Sequence, residues 1–209
     1  DPAKGDYVPS GAKADDGVAK ILKSKSHADR IRQLRESSSP QAQFVWSILR
    51  DSFHYCAVHL GEVADSARDI DFAMRWGFGT KQGPFELWQQ AGWKQVAQWI
   101  KEDIDAGKTL SNAPLPAWVF DGREGVHAAE GSWSASQNRY LPKSTLPVYA
   151  RQAFPESVGA AADPLKTGAE EFKNEEIRVW SADGEVLIAS ITAKLHLISP
   201  AVTEGLIKA

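Results

Sequence analysis

Ser39-Pro40 opens a stretch of 25 residues, running to Ala64, with no glycine before Gly61. A hydroxyl side chain followed by proline is a helix start: the serine caps, and proline sits where no N–H is needed. Val45, Leu49, Phe53, Cys56, Leu60 and Val63 then recur at spacings of four, four, three, four and three, which is one helical face. Phe44, Ile48 and Tyr55 widen that face. At 1.5 Å per residue the helix is roughly 37 Å long. An apolar stripe this wide needs packing on two sides, so the chain is expected to be mainly α.

Flanking signals extend the helical part. Asp16 can cap a helix through Lys25, and a second helix is expected from His27 to Glu36, stopped by Ser37-Ser38-Ser39. Asp69 is expected to cap a short helix from Ile70 to Trp76, closed by Gly77 as a left-handed residue. Gly83-Pro84 opens another, with Glu86 in its first turn, where the helix dipole favours acid. Gly92 closes it, and a further helix runs from Lys94 to Ala106 before Gly107. Residues 16–107 therefore read as an all-helical unit, preceded by an arm over Asp1 to Gly11.

The pattern changes after Ser111. Short runs such as Trp118-Val119-Phe120 sit between prolines and glycines, and Val126 to Leu141 alternates weakly, as a small hairpin would. Leu146 to Ala153 suggests a helical turn or two, and the Ala- and Gly-rich stretch from Ser157 to Gly168 reads as a linker. Ile177 to Ser181 and Val186 to Thr192 flank Asp183-Gly184, a strong hairpin signal. Ser199-Pro200 then starts a helix that runs to Ala209. A lone hairpin and a nine-residue helix are each marginal by themselves, so the segment reads as the first elements of a larger domain.

Charge narrows the function. With 24 Lys+Arg against 27 Asp+Glu, the net charge is −3 and the pI is near 6.0, which argues against a duplex nucleic-acid binder. Cys56 is the sole cysteine, so the chain holds no internal disulfide and no cysteine-based zinc cluster. No apolar run approaches ~18 residues, so no membrane span is expected, and no secretion leader is visible. Met74 is the sole methionine and the first residue is Asp1. A trimmed protein, or a piece of a longer one, is the expectation.

Candidate chemistry is sparse. Gly77-Phe78-Gly79-Thr80-Lys81-Gln82-Gly83 looks at first like a dinucleotide fingerprint, but its third glycine is late and a helix, not a strand, precedes it. His54 and His59 point about 140° apart on a helix, whereas metal pairs are spaced three or four apart. Cys56 between them reads as a buried thiol rather than a nucleophile. Glu62, Asp65, Asp69 and Asp71 form an acidic cluster suited to acid/base or divalent-metal chemistry, though the spacing fits helix caps and an exposed turn better. His196 lies in a turn between strand and helix, a common functional location. Trp76, Trp88, Trp93 and Trp99 fit a packed core or interface better than an aromatic binding surface. No catalytic, cofactor-binding or metal residue is assigned from spacing.

The run Asp69-Ile70-Asp71-Phe72-Ala73-Met74-Arg75-Trp76-Gly77-Phe78-Gly79, with Gly83-Pro84-Phe85-Glu86-Leu87 and Gly92-Trp93, resembles the helical C-terminal domain of 3-hydroxyacyl-CoA dehydrogenases. The likeness is dense over about 25 residues and extends more loosely from Ser39 to Leu110. One departure is visible: the family often has an aspartate about four residues after Gly-Pro-Phe, where this chain has Trp88, Gln89 and Gln90. The segment looks like the second of two helical repeats. Ile177 to Thr192, followed by Leu195-His196-Leu197-Ile198-Ser199-Pro200, resembles the opening of a crotonase (enoyl-CoA hydratase) domain. His196 stands where that family commonly has asparagine.

The resemblance implies a mainly α fold, the helical dehydrogenase C-terminal domain of 6-phosphogluconate dehydrogenase C-terminal-like type, with a less regular second half and a C-terminal β-hairpin. It divides the chain into an arm and inter-repeat helices (1–38), the helical repeat (39–110), a connecting region (111–174) and a crotonase-like start (175–209). It implies a cytoplasmic multifunctional enzyme of fatty-acid β-oxidation that uses NAD, bound by a domain outside these residues, acts on acyl-CoA and forms homo-oligomers. The family's catalytic residues map outside residues 1–209, so none is transferred, and the isolated chain is expected to be inactive. Two other readings stay open from the residues: a standalone helical protein-interaction module, and a hydrolase built on Cys56.

Overall fold

The computed structural model describes residues 15–151, 158, 168–181 and 184–209, together with 5, 7 and 13. The chain divides into two units, 1–145 with 158–160, and 146–157 with 161–209. Most of the arm, most of the 157–168 linker and Asp183 of the expected hairpin turn lie outside the described residues. The described part is mainly helical with two small antiparallel sheets. Among the described residues no helix is long and apolar enough to cross a membrane.

The first unit opens with α1 (Asp16–Leu22) and α2 (His27–Glu36). Asp15, not Asp16, caps α1, because its carboxylate reaches the Gly17 N–H at 2.7 Å; the helix stops at Leu22, short of Lys25. α2 has the expected bounds, with Ser26 accepting from the Asp29 N–H. The long α3 (Pro40–Val63) forms with the expected start, but the Ser39 hydroxyl makes no capping hydrogen bond, and proline at the first helical position carries the start. Its buried face is turned from the expected one, however: Ala42, Trp46, Arg50, Phe53, Ala57 and Leu60 are buried, while Val45, Leu49 and Cys56 are half-buried and Val63 is exposed. Polar anchoring on α5 explains the rotation. The Trp46 indole N–H donates to Asp103 at 2.9 Å, and Arg50 reaches the same carboxylate at 3.2 Å.

α4 (Ala67–Phe78) starts three residues earlier than expected and ends two later. Ser66 is its N-cap and Asp69 is the reciprocal partner of a capping box, accepting from the Ser66 N–H at 2.8 Å. Gly79, with φ of 67°, takes the left-handed position expected of Gly77. α5 (Pro84–Asp105) starts at Gly83-Pro84 and bends sharply at Gly92, whose φ of 102° and ψ of 89° no helix accommodates. Residues five apart on a regular helix face about 140° apart. The bend instead lays Trp93 on Trp88, with ring centroids 4.2 Å apart, and the Trp88 indole N–H donates to the Trp93 carbonyl at 3.0 Å.

That stack continues in both directions. Phe53 of α3 lies 5.6 Å from Trp88, and Trp118, in a 3-10 turn at Ala117–Phe120, lies 6.1 Å from Trp93. Trp118 leads to Trp133 and then to Tyr140. Trp88 and Trp93 are therefore core residues, Trp99 is half-buried and Trp76 is exposed. Trp133 and Tyr140 belong to a sheet of three antiparallel strands rather than one hairpin: β1 (His127–Ala128), β2 (Gly131–Ser134) and β3 (Arg139–Leu141), in that order.

In the second unit a single helical turn, α6 (Pro147–Ala150), precedes β4 (Ala169–Lys173), β5 (Ile177–Ser181) and β6 (Leu187–Ile191). The sheet is antiparallel in chain order, so the expected hairpin gains β4 as a third strand, with a register shift between Glu170 and Phe172. α7 (Pro200–Lys208) is capped by Ser199 and packs on β5; Val202 is buried, and Gly205 lies so close to Ile177 that a Cβ there would overlap it. Asn174 ties the turn to the helix: its carbonyl accepts from the Glu176 and Ile177 N–H groups and its amide donates to the Ala201 carbonyl.

Candidate functional site: a buried carboxylate behind an apolar groove

Asp71 is fully buried and organises one end of the first unit. Gly83 is the N-cap of α5 but has no side chain to satisfy the helix's first N–H groups. Asp71 supplies that function from α4: its Oδ1 accepts from the Phe85 N–H at 2.9 Å and its Oδ2 from the Glu86 N–H at 3.0 Å. Glu86 in turn accepts from the Gly83 N–H at 2.9 Å. A Cβ at Gly83 would overlap the Asp71 carboxylate and backbone, so only glycine lets the two elements approach this closely.

A third donor comes from the small sheet. His127 Nε2 lies 2.6 Å from Asp71 Oδ2, and because a carboxylate only accepts, Nε2 carries the proton. His127 Nδ1 faces Ser132 Oγ at 2.9 Å. Burial pushes the Asp71 carboxyl above its ordinary value; the His127 and Phe85 bonds oppose this only in part, and Glu86 adds to it. Gln89 fastens the same strand. Its Oε1 accepts from the Val126 and His127 N–H groups, each at 2.9 Å, and its Nε2 donates to the His127 carbonyl at 2.9 Å.

Ser132, His127 and Asp71 have the composition of a nucleophilic triad. Ser132 and Asp71 have no exposed surface, so no substrate carbonyl reaches the hydroxyl. The constellation ties β1 and β2 to the α4–α5 junction instead. Sequence reasoning places Asp71 in an acidic cluster, names Gln89 only as part of a departure from the resembling family, and does not single out His127 or Ser132. No local signal joins His127 to Asp71, because they lie 56 residues apart.

The rest of the acidic cluster separates. Asp69 is the capping-box partner of Ser66 at the start of α4, Glu62 accepts from His59 on α3 at 2.9 Å, and Asp65 is exposed. Among the described residues, no group of three or more His, Cys, Asp or Glu is arranged to hold a metal ion. His196 accompanies Leu195 in a 3-10 turn (Lys194–His196), both with positive φ, and its Nδ1 is 2.9 Å from the Ile191 carbonyl. Two successive non-glycine residues in this region mark local strain.

Beside the buried carboxylate lies an open groove of about 590 Å³. Ile48, Tyr55, Cys56 and Val58 of α3 line one side; Met74, Pro84, Leu110, Ser111 and Ala113 line the rest. His54 fixes Ala113 by donating from Nε2 to its carbonyl at 2.7 Å. Burial, with the nearby Asp71 charge, pushes the Cys56 thiol up to about 12, so the group is a protonated apolar side chain and not a nucleophile. His54 and His59 both line the groove, each committed to its own hydrogen bond.

A dinucleotide does not fit the glycine turn at 77–83. A pyrophosphate needs free N–H groups at a helix N-terminus after a strand. Here α4 precedes the turn, and the α5 N–H groups of Phe85 and Glu86 already serve Asp71.

The chain is similar to a probable 3-hydroxyacyl-CoA dehydrogenase of Bacillus subtilis (strain 168), with 38% identity over 89 residues. The match covers 37% of this chain and 11% of that protein, so the chain spans about a tenth of the relative's length. No protein-family model and no solved structure matches.

Proposed function

We propose that these residues are the helical, substrate-side part of an NAD-dependent 3-hydroxyacyl-CoA dehydrogenase, which oxidises 3-hydroxyacyl-CoA to 3-oxoacyl-CoA in fatty-acid β-oxidation. The observation that carries this reading is the 38% identity to a protein of that name. The groove supports it, because its apolar lining suits the wall of a cleft for an acyl chain. In this reading the chain contributes shape, exclusion of water and subunit contacts in a cytoplasmic homo-oligomer. NAD, which supplies hydride chemistry, is held by a domain outside residues 1–209, in keeping with the poor fit of the 77–83 turn. Residues 175–209 open a crotonase-like domain; the support is the hairpin and the Ser199-Pro200 helix that follows it.

The exposed apolar residues of α3 and α4 also suit a standalone interaction module. Reading the coding sequence on both sides of these residues separates the two. A strand–Gly-x-Gly-x-x-Gly–helix region upstream is expected. A frame that opens just before Asp1 and stops after Ala209 would overturn the dehydrogenase reading.

A further inference from the structure

Between the end of α5 and the 3-10 turn at Ala117–Phe120, residues 108–116 form neither helix nor strand. Three residues of α3 reach the backbone of this stretch. Arg50 donates to the Lys108 carbonyl at 2.6 Å, and His54 donates to the Ala113 carbonyl at 2.7 Å. Asp51 accepts from the Leu110 N–H at 3.5 Å, well beyond the ~2.9 Å of a full bond. Both ends of the stretch are therefore clipped to α3, and among the described residues its middle has only that long bond to the helix. Leu110 lines the groove yet is 91% exposed, whereas Leu115, past the second clip, is buried. We propose that residues 109–112 are a strap that closes over an acyl chain lying in the groove, with Leu110 as the side chain that covers it. The inference deepens the acyl-binding part of the function proposed above and rests on it.

The hydrogen bonds of the strap let it move as a unit. The Thr109 hydroxyl donates to the Ser111 carbonyl at 2.7 Å, and the Ala113 N–H donates to the Ser111 hydroxyl at 3.2 Å. Each joins residues two apart, so neither ties the strap to another element. Closure gives up only the long Leu110 bond. Asp51 loses little by it, because Arg50 holds both of its carboxylate oxygens, at 3.0 and 3.1 Å. The two clips stay in place: the Arg50 and His54 side chains are buried, and Arg50 is also tied to Asp103. The chemistry of the lining selects the occupant. Ile48, Tyr55, Cys56, Met74 and Pro84 offer surface that an alkyl chain covers without stranding a polar group. No lysine or arginine is among the lining residues, so an anionic head group stays outside while the chain enters. With the chain in place, Leu110 exchanges water for an apolar partner, and the strap shuts water out of the groove.

Leu110→Cys makes the strap readable by alkylation, because Cys56 in the groove wall is held protonated. The 209-residue chain with this change is treated with iodoacetamide in saturating decanoyl-CoA or in acetyl-CoA, and binding is followed by calorimetry. Decanoyl-CoA should bind and slow alkylation of the introduced thiol by about tenfold or more, and acetyl-CoA should not slow it. Leu110→Ser should weaken decanoyl-CoA binding by about fivefold, whereas Leu22→Ser, at an exposed leucine of α1, should leave it unchanged. Both leucines are exposed, so neither change threatens the fold. Binding of decanoyl-CoA with unslowed alkylation, equal protection by acetyl-CoA, or unaltered affinity of Leu110→Ser would each overturn the strap and leave the groove as an acyl site. No binding of decanoyl-CoA would overturn the strap and the acyl role of the groove together. The dehydrogenase reading itself is decided separately, by turnover of the full-length protein.

Discussion

Asp71 and Gly83 show how one carboxylate can finish a helix that lacks its own cap. Replacing Asp71 by alanine strands two N–H groups of α5 and the His127 Nε2–H in a buried setting. A loss of roughly 3 kcal/mol or more is expected from urea unfolding, and a smaller loss for asparagine, which keeps one acceptor. Losses below about 1 kcal/mol for both would contradict the assigned role. The sequence placed the start of α4 at Asp69; Ser66 is the N-cap and Asp69 its capping-box partner inside the helix, because the reciprocal bonds carry the start three residues upstream. The partners of Asp71 were not legible, because they come from other elements. Cys56 gives a pH prediction. Its thiol is raised from 9.0 to about 12, so the folded chain keeps the proton where the unfolded chain loses it. Its contribution is therefore intact below pH 9.0 and is lost as pH rises toward 12. Wild type should lose stability relative to Cys56→Ala between these limits, by up to about 4 kcal/mol. The native thiol should also resist alkylation near neutrality and react promptly in denaturant. Rapid native labelling near neutrality would contradict a thiol held protonated in the groove wall.

Among the elements, α2, α3 and the start of α5 follow from caps, prolines and spacing, which act within a few residues. The face that α3 buries did not follow from apolar spacing. Trp46 and Arg50 are pulled inward by Asp103, 57 and 53 residues away, and a hydrophobic pattern carries no record of a distant carboxylate. The three-stranded sheet was legible only as weak alternation, because Gln89, His127 and the aromatic stack hold it. The Gln89 side chain both accepts from and donates to the strand backbone. An aspartate, which the resembling family often carries near this position, accepts only. Gly92 controls the bend in α5. Gly92→Ala places a Cβ at φ of 102° and should cost about 1–3 kcal/mol. The same change should shift tryptophan fluorescence, because the bend brings Trp93 onto Trp88. Unaltered emission and stability would show that the stack does not depend on the bend.

For the whole molecule, the link between fold and function runs through the α4–α5 junction. The capping box at Asp69, the carboxylate at Asp71, the close approach at Gly83 and the bend at Gly92 account physically for the spacing of Asp-Ile-Asp, Gly-Pro-Phe and Gly-Trp in this chain. The same contacts occupy the α5 N–H groups of Phe85 and Glu86 that a phosphate would need. Hydride chemistry needs groups that this account assigns outside residues 1–209. The most direct measurement is NADH formation from a 3-hydroxyacyl-CoA, by the full-length product of the source gene and by the 209-residue chain side by side. The account predicts turnover by the full-length protein and none by the chain alone. Turnover by the isolated chain, or its absence from the full-length protein, would contradict it.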